Sequence, residues 1–383
     1  MNINMDLKDI RNRIDEIDSG ILDLFLKRME LSEKVAEYKI ANNLPILNRE
    51  REREILKDVM EKSGENEAYA YRLFQVLMAL SKAKQGTLMA GTTPVTERIK
   101  ASIQPLTAVF PETGMVACQG IEGANSQEAC EKLVKRGNIM YVKTFSAVFD
   151  AIDSGFCDYG VLPIENNMNG SVRAVYDLIR ERNFTIVRST RLNIRHALMG
   201  LPGTKISDIK NVISHEQALG QCSGFLHSLG ENVHTTAYTN TAVAARDVML
   251  GKDKSIASIS SPVCAKLYGL EILKSDIQDS DNNYTRFILV AKKPAIYPGS
   301  DRMSLIVSCA NRAGALEEIL SMLSARGINM TKLESIPVPG RDFEFQFYLD
   351  LDASIHAPGV MDMLSDLEKH VESFTFLGNY AAV

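Results

Sequence analysis

The chain has 383 residues, of which 45% are hydrophobic and 24% are charged, a composition typical of globular proteins and unlike that of disordered chains. Its length predicts two or three domains. Lys and Arg number 43 against 48 Asp and Glu, so a net charge of −5 leaves no general basic excess for binding nucleic acid or an anionic membrane. No apolar run approaches the roughly 18 residues of a membrane span, and the polar N-terminus is unlike a signal peptide. The six cysteines are scattered without a CxxC pair, which predicts no metal site, no disulfide framework and a reducing, cytoplasmic location.

Residues 5–90 carry only helical signals. Apolar side chains recur every three or four residues along a heptad stripe over 7–24, and the same register continues toward Tyr38. The pattern predicts one helix of more than about 30 residues that Pro45 ends, followed by helices over about 49–63 and 67–86. A long helix with two shorter ones has little core of its own, so we predict an intertwined helical dimer.

Two cations interrupt the apolar face of the first predicted helix. Arg28 occupies the heptad position after Leu24, and Lys39 lies eleven residues later, about 20° further around the helix, so both face one side. A lone buried Arg is explained by an ion pair or by a snorkelling side chain. Two cations on one face, followed by Arg51, favour a site for a dianion. Arg11 lies about 25 Å from Arg28 along the helix and about 100° off its face, so it can join that site only from a second chain.

The segments that carry these residues are IRNRIDEID, LKRMELSEKVAEYK, NREREREIL and RLFQVLMALSKAKQ. In this order they resemble the all-helical type of chorismate mutase. The resemblance implies the rearrangement of chorismate to prephenate, which needs no nucleophile or cofactor but needs a substrate held in a compact conformer with its developing charge stabilised. It also implies the following site: Arg11 of a partner chain, Arg28 and Arg51 on the two carboxylates, Lys39 and Gln85 as catalytic groups at the ether oxygen, Glu52 at the ring hydroxyl, and Asn48 and Ser81 completing the pocket.

Residues 91–113 are interrupted by Thr, Pro and Gly and predict a linker. From 114 to 293, short apolar strands alternate with helical stretches, which predicts an α/β domain with at least partly parallel strands. Polar clusters lie at the ends of several predicted strands: GIEGANS at 120–126, PIENN at 163–167, SHEQALGQC at 214–222 and NYTRF at 283–287. Strand ends are where α/β folds place ligands, although each cluster taken alone is also explained as a cap, a turn or a surface charge.

Together and in this order, the clusters resemble prephenate dehydratase, with PIEN and TRF as the most specific part. The resemblance implies two α/β lobes hinged around a cleft, as in type-II periplasmic binding proteins. It implies conversion of prephenate to phenylpyruvate, in which the ring hydroxyl and a carboxylate leave together. That step needs a hydrogen-bond donor for the leaving oxygen and cations for the carboxylates. The implied residues are Thr285 as the positioned donor, Arg286 beside it, and Glu165, Asn166, Ser214 and Gln221 as partners in the cleft.

Residues 303–383 have the ferredoxin-like order βαββαβ. The segment resembles an ACT domain, a small amino-acid-binding module that pairs through its sheets or helices. After a dehydratase, the resemblance implies a phenylalanine sensor, and a purely structural dimerisation domain is the alternative. The implied regulatory residues are Gly314, Ala315 and Leu316 at a helix start, where a ligand carboxylate is favoured, and Glu334 and Ser335 on a strand. Ile336 stands where the family usually has Arg, which predicts weaker inhibition.

The sequence therefore predicts three domains: an all-α mutase domain over 1–90, a two-lobed α/β dehydratase domain over 114–293 after the linker, and a ferredoxin-like regulatory domain over 303–383. The predicted function is a bifunctional enzyme of phenylalanine biosynthesis that acts on chorismate and prephenate, uses no cofactor or metal, binds phenylalanine allosterically and forms a homodimer or higher oligomer. The alternative is a non-catalytic, amino-acid-responsive binding protein whose helical segment is a dimerisation coil. Such a coil would carry an apolar residue in place of Arg28.

Overall fold

A computed structural model describes residues 6–46, 48–89, 91–312, 314–337 and 345–383. The chain divides into two compact units, the first formed by residues 1–101 with 305–376 and the second by residues 102–304 with 377–383. Over the described ranges, no helix is both long enough and apolar enough to span a membrane.

The N-terminal segment is helical, as predicted. It contains α1 (Leu7–Ala41), α2 (Arg49–Ser63), α3 (Glu67–Met89) and α4 (Pro94–Ser102). The 35 residues of α1 confirm the single long helix. It ends at Ala41, four residues before the predicted stop at Pro45, because Asn43 takes a left-handed conformation with φ 51° that a helix cannot continue.

Helix α4 lies inside the residues predicted to be a linker. Its start is fixed by two threonines that bond each other reciprocally: Thr93 N–H donates to Thr96 Oγ1 at 2.8 Å, and Thr96 N–H donates to Thr93 Oγ1 at 3.3 Å. Pro94 occupies the first helical position, where its missing N–H costs nothing. Thr and Pro, which the composition presents as helix breakers, here begin a helix.

The apolar stripe of α1 is exposed within one chain. From Leu7 to Leu24 its large side chains are 40–68% exposed, with Ile10 at the lower limit and Leu24 at the upper one. Isolated exposed apolar residues are common on soluble proteins, but a continuous stripe of this length marks an interaction surface.

The middle segment is α/β, as predicted. Its strands are β1 (Thr113–Gln119), β2 (Arg136–Val142), β3 (Tyr159–Asn166), β4 (Gly170–Ser171), β5 (Thr185–Asn193), β6 (Ala197–Gly200), β7 (Asn211–His215), β8 (His234–Tyr238), β9 (Ile256–Ser260), β10 (Glu271–Lys274) and β11 (Tyr284–Ala291). Its helices are α5 (Asn125–Leu133), α6 (Phe145–Asp153), α7 (Arg173–Arg182), α8 (Glu216–Gln221), α9 (Ser223–Ser228), α10 (Thr241–Gly251) and α11 (Pro262–Tyr268).

These elements form two lobes, which confirms the predicted architecture. The first lobe has the strand order β5-β11-β3-β1-β2, in which β1 runs parallel to β2 and β3, while β11 is antiparallel to β3 and β5. The second lobe has the order β10-β6-β9-β7-β8. The chain crosses from the first lobe to the second between β5 and β6 and returns between β10 and β11. Each lobe has its own apolar core.

The C-terminal segment has the predicted βαββαβ order. It contains β12 (Arg302–Ser308), α12 (Ala315–Ser324), β13 (Asn329–Pro337), β14 (Phe345–Asp352), α13 (Val360–His370) and β15 (Ser373–Ala382), with the strand order β13-β14-β12-β15. The end of β15 belongs to the second unit, where Ala381 and Ala382 pair in parallel with Arg188 and Ser189 of β5.

Gly378 on β15 provides a test of this close strand packing. A Cβ added there would lie 2.2 Å from the carbonyl oxygen of Ile186, a backbone atom that cannot rotate away. We expect Gly378→Ala to destabilise the protein by about 1–3 kcal/mol, as overpacking does, and to lower its melting temperature. Gly251→Ala is the control, because nothing lies within 4 Å of its added Cβ at the end of α10. Circular dichroism melts that agree for the two variants would contradict the packing.

Candidate active sites

The helical segment brings two cations of α1 against two polar side chains of α3. Arg28 Nη1 donates to the carbonyl oxygen of Leu77 at 2.7 Å and also bonds Ser81 Oγ. Lys39 Nζ donates to Gln85 Oε1 at 3.0 Å. Ser81 and Gln85 are both buried and lie one helical turn apart, so α3 offers one polar face to α1. The structure therefore brings four of the predicted site residues together as two contacting pairs.

Burial changes the electrostatics of both cations. It lowers the pKa of the half-buried Arg28 guanidinium, which remains charged because an arginine side chain is protonated throughout the physiological range. It also lowers the pKa of Lys39, an effect that the nearby charge of Glu52 partly offsets. Two partly desolvated cations attract an anion more strongly than exposed cations do.

Three of the remaining predicted residues of this segment, Asn48, Arg51 and Glu52, have other partners in one chain. Glu52 pairs with Lys82 at 2.9 Å. Asn48 caps α2, because its Oδ1 accepts the backbone N–H of Arg51 at 3.0 Å. Arg51 itself pairs with Glu54 at 3.0 Å and is mostly exposed. It lines a surface hollow that includes neither Arg28 nor Lys39. Arg11 is exposed on α1, so the single chain does not bring it to the other cations.

The second group of residues surrounds the open cleft between the two lobes, which has a volume of about 510 Å³. Its polar lining comes from both lobes: Gln119, Asn125, Ser126, Asn166, Asn169, Ser171, His196, His215, Gln217, Gln221, Thr239, Asn240, Thr241 and Thr285. Among the described residues that line it, none is Lys or Arg. Instead, the starts of α5, α7 and α10 face it through Asn125, Val172 and Thr241. Helix N-termini carry partial positive charge, so this lining favours an anion without a formal cation. At α10, the Asn240 side-chain oxygen already accepts the N–H groups of Ala242 and Val243, so this helix contributes through its dipole.

Thr285 lies in the cleft opposite Asn166, because β11 pairs with β3 in that register. Asn166 Nδ2 donates to Thr285 Oγ1 and to Asn283 Oδ1, at 2.9 Å each. Asn166 Oδ1 accepts the backbone N–H groups of Met168 and Asn169, at 3.0 Å each. Since the Thr285 oxygen already accepts a hydrogen bond, its own proton is left to donate. That proton is available to another group in the cleft.

Three predicted cleft residues do not line the cleft. Side chains alternate along a strand, so Glu165 and Arg286 lie on the face opposite Asn166 and Thr285. There Arg286 Nε lies 3.5 Å from the Glu165 carboxylate, and its Nη2 donates to the Tyr176 hydroxyl on α7 at 3.4 Å. Ser214 is fully buried and its hydroxyl donates to the carbonyl oxygen of Ile259 at 2.6 Å, which ties β7 to β9. Gln221, by contrast, lines the cleft as predicted.

The sequence reasoning missed His196. This residue is 3% exposed and lines the cleft, and its Nε2 lies 2.9 Å from Gln221 Oε1. Asn283 Nδ2 donates to the same oxygen at 3.0 Å. Burial lowers the pKa of His196, and its bond to Gln221 partly offsets that effect. The available signal was weak: a single His within the apolar sequence IRHALM, ahead of a strand.

The predicted regulatory residues lie on two separate elements. Gly314 caps the start of α12 with φ 82°, followed by the buried Ala315 and the half-buried Leu316. Near this start, Arg312 pairs with Glu318 at 2.7 Å, and Arg49 of α2 pairs with Glu318 at 3.0 Å. Glu334 and Ser335 lie on β13, which β14 separates from β12 in the sheet. One chain therefore does not place the two predicted motifs side by side.

Comparison with known proteins gives three family matches in chain order. Residues 10–86 match the model for chorismate mutase type II, residues 116–295 that for prephenate dehydratase and residues 303–368 that for the ACT domain. A bifunctional chorismate mutase/prephenate dehydratase of Escherichia coli strain K12 is 30% identical over 382 residues, 97% of this chain and 95% of the relative. The chloroplastic arogenate dehydratase/prephenate dehydratase 2 of Arabidopsis thaliana is 36% identical over 277 residues, 69% of this chain and 72% of the relative.

A solved structure also resembles the chain. The prephenate dehydratase of Arthrobacter aurescens in complex with L-Phe has a TM-score of 0.63 and 29% identity, covering 70% of this chain and 89% of the other.

Proposed function

The chain belongs to the family of bifunctional chorismate mutase/prephenate dehydratases, and we propose from that premise how its residues carry out the two reactions. The enzyme rearranges chorismate to prephenate and converts prephenate to phenylpyruvate, in the biosynthesis of phenylalanine. The observation that carries this function is the end-to-end match, with three domains in the same order and 30% identity over 97% of the chain. Arg28 and Lys39 on the inner face of the helices argue against the non-catalytic alternative, since a simple coil has no need of them.

We propose functional domains over 1–90, 114–293 and 303–383. The family matches at 10–86, 116–295 and 303–368 support these limits. Only the second match passes a proposed limit, ending two residues after 293. The connection over 91–113 includes the ordered helix α4. We also propose a cytoplasmic location, since all six cysteines are free thiols.

In the mutase domain, Arg28 and Lys39 hold the dianionic substrate. Ser81 and the Leu77 carbonyl oxygen orient the Arg28 guanidinium, and Gln85 orients Lys39. Lys39 and Gln85 then stabilise charge at the ether oxygen as the C–O bond breaks, with Glu52 at the ring hydroxyl. Rigid helices keep these groups in place before the substrate arrives, which favours the compact conformer. To bind a carboxylate of the substrate, Arg51 must break its ion pair with Glu54. Breaking this pair costs little free energy, because both side chains are exposed to solvent.

The mutase site is completed by a second chain. The exposed stripe of α1 provides the apolar surface that a homodimer buries. A partner helix packed there contributes its own Arg11, which the geometry of one helix keeps from Arg28. Each dimer then holds two sites, and each site combines Arg28 of one chain with Arg11 of the other.

Complementation tests this shared site. We expect Arg11→Ala and Arg28→Ala each to be nearly inactive as a mutase, whereas verified heterodimers of the two regain about half of the wild-type activity, because one of their two sites keeps both arginines. Lys8→Ala, which removes another exposed cation of α1, should retain activity and serves as the control. Heterodimers that stay inactive would exclude a site shared between chains.

In the dehydratase domain, the cleft supports decarboxylation coupled to loss of hydroxide. The bond from the ring to its carboxylate breaks to release carbon dioxide, and its electron pair enters the ring. The ring hydroxyl leaves as hydroxide, which a solvent proton converts to water. Thr285 donates a hydrogen bond to that leaving oxygen, and Asn166 holds Thr285 in the donating orientation. The carboxylates bind at the starts of α5, α7 and α10, which supply the positive potential that the sequence had assigned to Arg286.

The predicted residues that lie outside the cleft stabilise the strands that form its walls. Glu165 and Arg286 pair across β3 and β11 and support the register that places Asn166 beside Thr285. Ser214 ties β7 to β9 beneath the second wall of the cleft. Gln221 contacts the cleft directly and bonds Asn283 and His196.

Substitution of Thr285 separates the two chemistries. We expect Thr285→Val, nearly isosteric but without the hydroxyl, to lower dehydratase turnover by about 10²–10³, as loss of one transition-state donor does. Thr285→Ser should retain more activity than Val, because it keeps the oxygen. Mutase turnover, measured on the same sample as loss of chorismate, should stay near wild type in both. Phenylpyruvate formed at the wild-type rate by the Val variant would remove Thr285 from the mechanism.

The C-terminal domain is proposed to sense phenylalanine. The ACT match and the structural resemblance to a dehydratase in complex with L-Phe support it. Gly314 leaves the start of α12 open to a ligand, since an added Cβ would meet nothing within 4 Å. The buried Ile336 offers no guanidinium to that ligand, so inhibition is expected to be weaker than is usual in the family.

Two glycines that both have positive φ test the sensor. We expect calorimetry to show phenylalanine binding in the millimolar range or tighter, with dehydratase inhibited more than mutase. Gly314→Ala should weaken both binding and inhibition. Gly327→Ala is the control, because Gly327 also has positive φ, 66° against 82°, and open space around its added Cβ, but lies at the other end of α12. If both variants respond to phenylalanine as the wild type does, the ligand does not bind at the start of α12.

A further inference from the structure

His196 is held where the chain crosses between the two lobes of the cleft. Its backbone N–H donates to Gln278 Oε1 at 3.0 Å, and its carbonyl oxygen accepts the N–H of Ile277 at 3.1 Å. These bonds join the outgoing crossing between β5 and β6 to the returning one between β10 and β11. The backbone of His196 is therefore held by one backbone and one side-chain bond from the returning crossing. The functions proposed above do not use it.

The orientation of a chain of three amides can be deduced from one end. Asn166 Oδ1 accepts the backbone N–H groups of Met168 and Asn169, and only an oxygen can do so. Asn166 Nδ2 must then face Thr285 and Asn283, which it does at 2.9 Å each. Asn283 must present Oδ1 to that donor, and its Nδ2 therefore points to Gln221.

The same reasoning fixes the protonation of His196. Gln221 must offer Oε1 to Asn283 Nδ2, 3.0 Å away, and the same oxygen lies 2.9 Å from His196 Nε2. Two groups that meet at an oxygen must both donate, so Nε2 carries the proton. His196 Nδ1 is buried and accepts no hydrogen bond from the part of the chain that the structure describes. A second proton there would be a buried donor without an acceptor, which disfavours the imidazolium.

We propose that His196 is a positioning residue for the dehydration step: its neutral Nε2–H form fixes the amide chain of Gln221, Asn283 and Asn166 in the orientation that leaves the Thr285 proton free for the leaving oxygen. The inference rests on the proposed role of Thr285. Without the Nε2 donor, the Gln221 amide can turn its nitrogen toward Asn283. Asn283 must then turn as well and present a donor to the Asn166 donor, which loosens the hold on Thr285.

A pair of substitutions tests the donor. His196→Leu removes the Nε2–H donor and replaces the imidazole with a side chain of similar size. His196→Gln instead places an amide nitrogen near the position of Nε2. We expect the Leu variant to lose dehydratase kcat by about 10–100-fold, the range typical of residues that orient a functional side chain, with a smaller change in KM. The Gln variant should recover most of that loss. Mutase turnover on the same samples should not change, because the helical domain contains none of these residues. Equal losses in the two variants, or wild-type kcat in the Leu variant, would overturn the proposal.

A double substitution distinguishes positioning from direct action on the substrate. In a Thr285→Val background the hydroxyl is absent, so His196→Leu should cost little further activity. Multiplied losses would mean that His196 acts independently of Thr285, and would overturn the proposal. If Thr285→Val alone keeps wild-type dehydratase turnover, the proposed role of Thr285 is wrong. The phenylpyruvate assay of that single variant identifies this outcome separately.

The tautomer of His196 can be measured in the wild-type protein. This test therefore remains valid even if the His196 variants do not fold. Long-range ¹H–¹⁵N NMR spectra of protein labelled at histidine, with His196→Gln used for assignment, should show a protonated Nε2 and an unprotonated Nδ1 near neutral pH. An imidazolium or an Nδ1–H form would contradict the deduced orientation of the amide chain.

Discussion

The pairing of β11 with β3 is the constraint on which the dehydratase cleft depends. It sets Thr285 opposite Asn166, and the hydrogen bond between the two side chains follows from that register. A shift of β11 by one residue would turn Thr285 to the other face of the sheet and bring Arg286 into the cleft, and the same shift of β3 would exchange Asn166 for Glu165. The ion pair between Glu165 and Arg286 works against such a shift, because it holds the correct register from the opposite side. A carboxylate and a guanidinium outside the cleft thus support the chemistry inside it.

The two active sites proposed here attract dianions by different physical means. The mutase domain uses formal cations on rigid helices, with burial lowering the pKa of Arg28 and Lys39. The dehydratase cleft relies on helix ends and neutral amides, and among its described lining residues no Lys or Arg is present. The difference suits the reactions. A pericyclic rearrangement moves charge within one bound molecule, so fixed cations can stay in contact throughout. Decarboxylation removes a charged group from the substrate, and a fixed cation on that group would oppose its departure.

The sequence predicted most of the architecture because the signals for it are local. The heptad stripe marked α1, α2 covers the predicted range of about 49–63, and Ser81 and Gln85 were placed one turn apart on α3. The position of Glu165 and Arg286 on the sheet face opposite Asn166 and Thr285 was also predictable, since adjacent residues of a strand alternate between the two faces. His196 was not, because its partner Gln221 is 25 residues away and the contact exists only after the lobes form. Helix α4 was missed because its threonines, which stabilise the start of the helix by bonding each other, are disfavoured by composition alone.

The lining of the cleft also bears on how the product leaves. Prephenate enters with two carboxylates, and phenylpyruvate keeps one. Attraction to the starts of α5, α7 and α10 scales with the charge of the bound molecule, so the reaction itself weakens the hold on what it forms. An arginine in the cleft would keep a strong bidentate partner for the remaining carboxylate. If the carboxylates bind as proposed, the product leaves without a separate step to break a salt bridge, which favours its release.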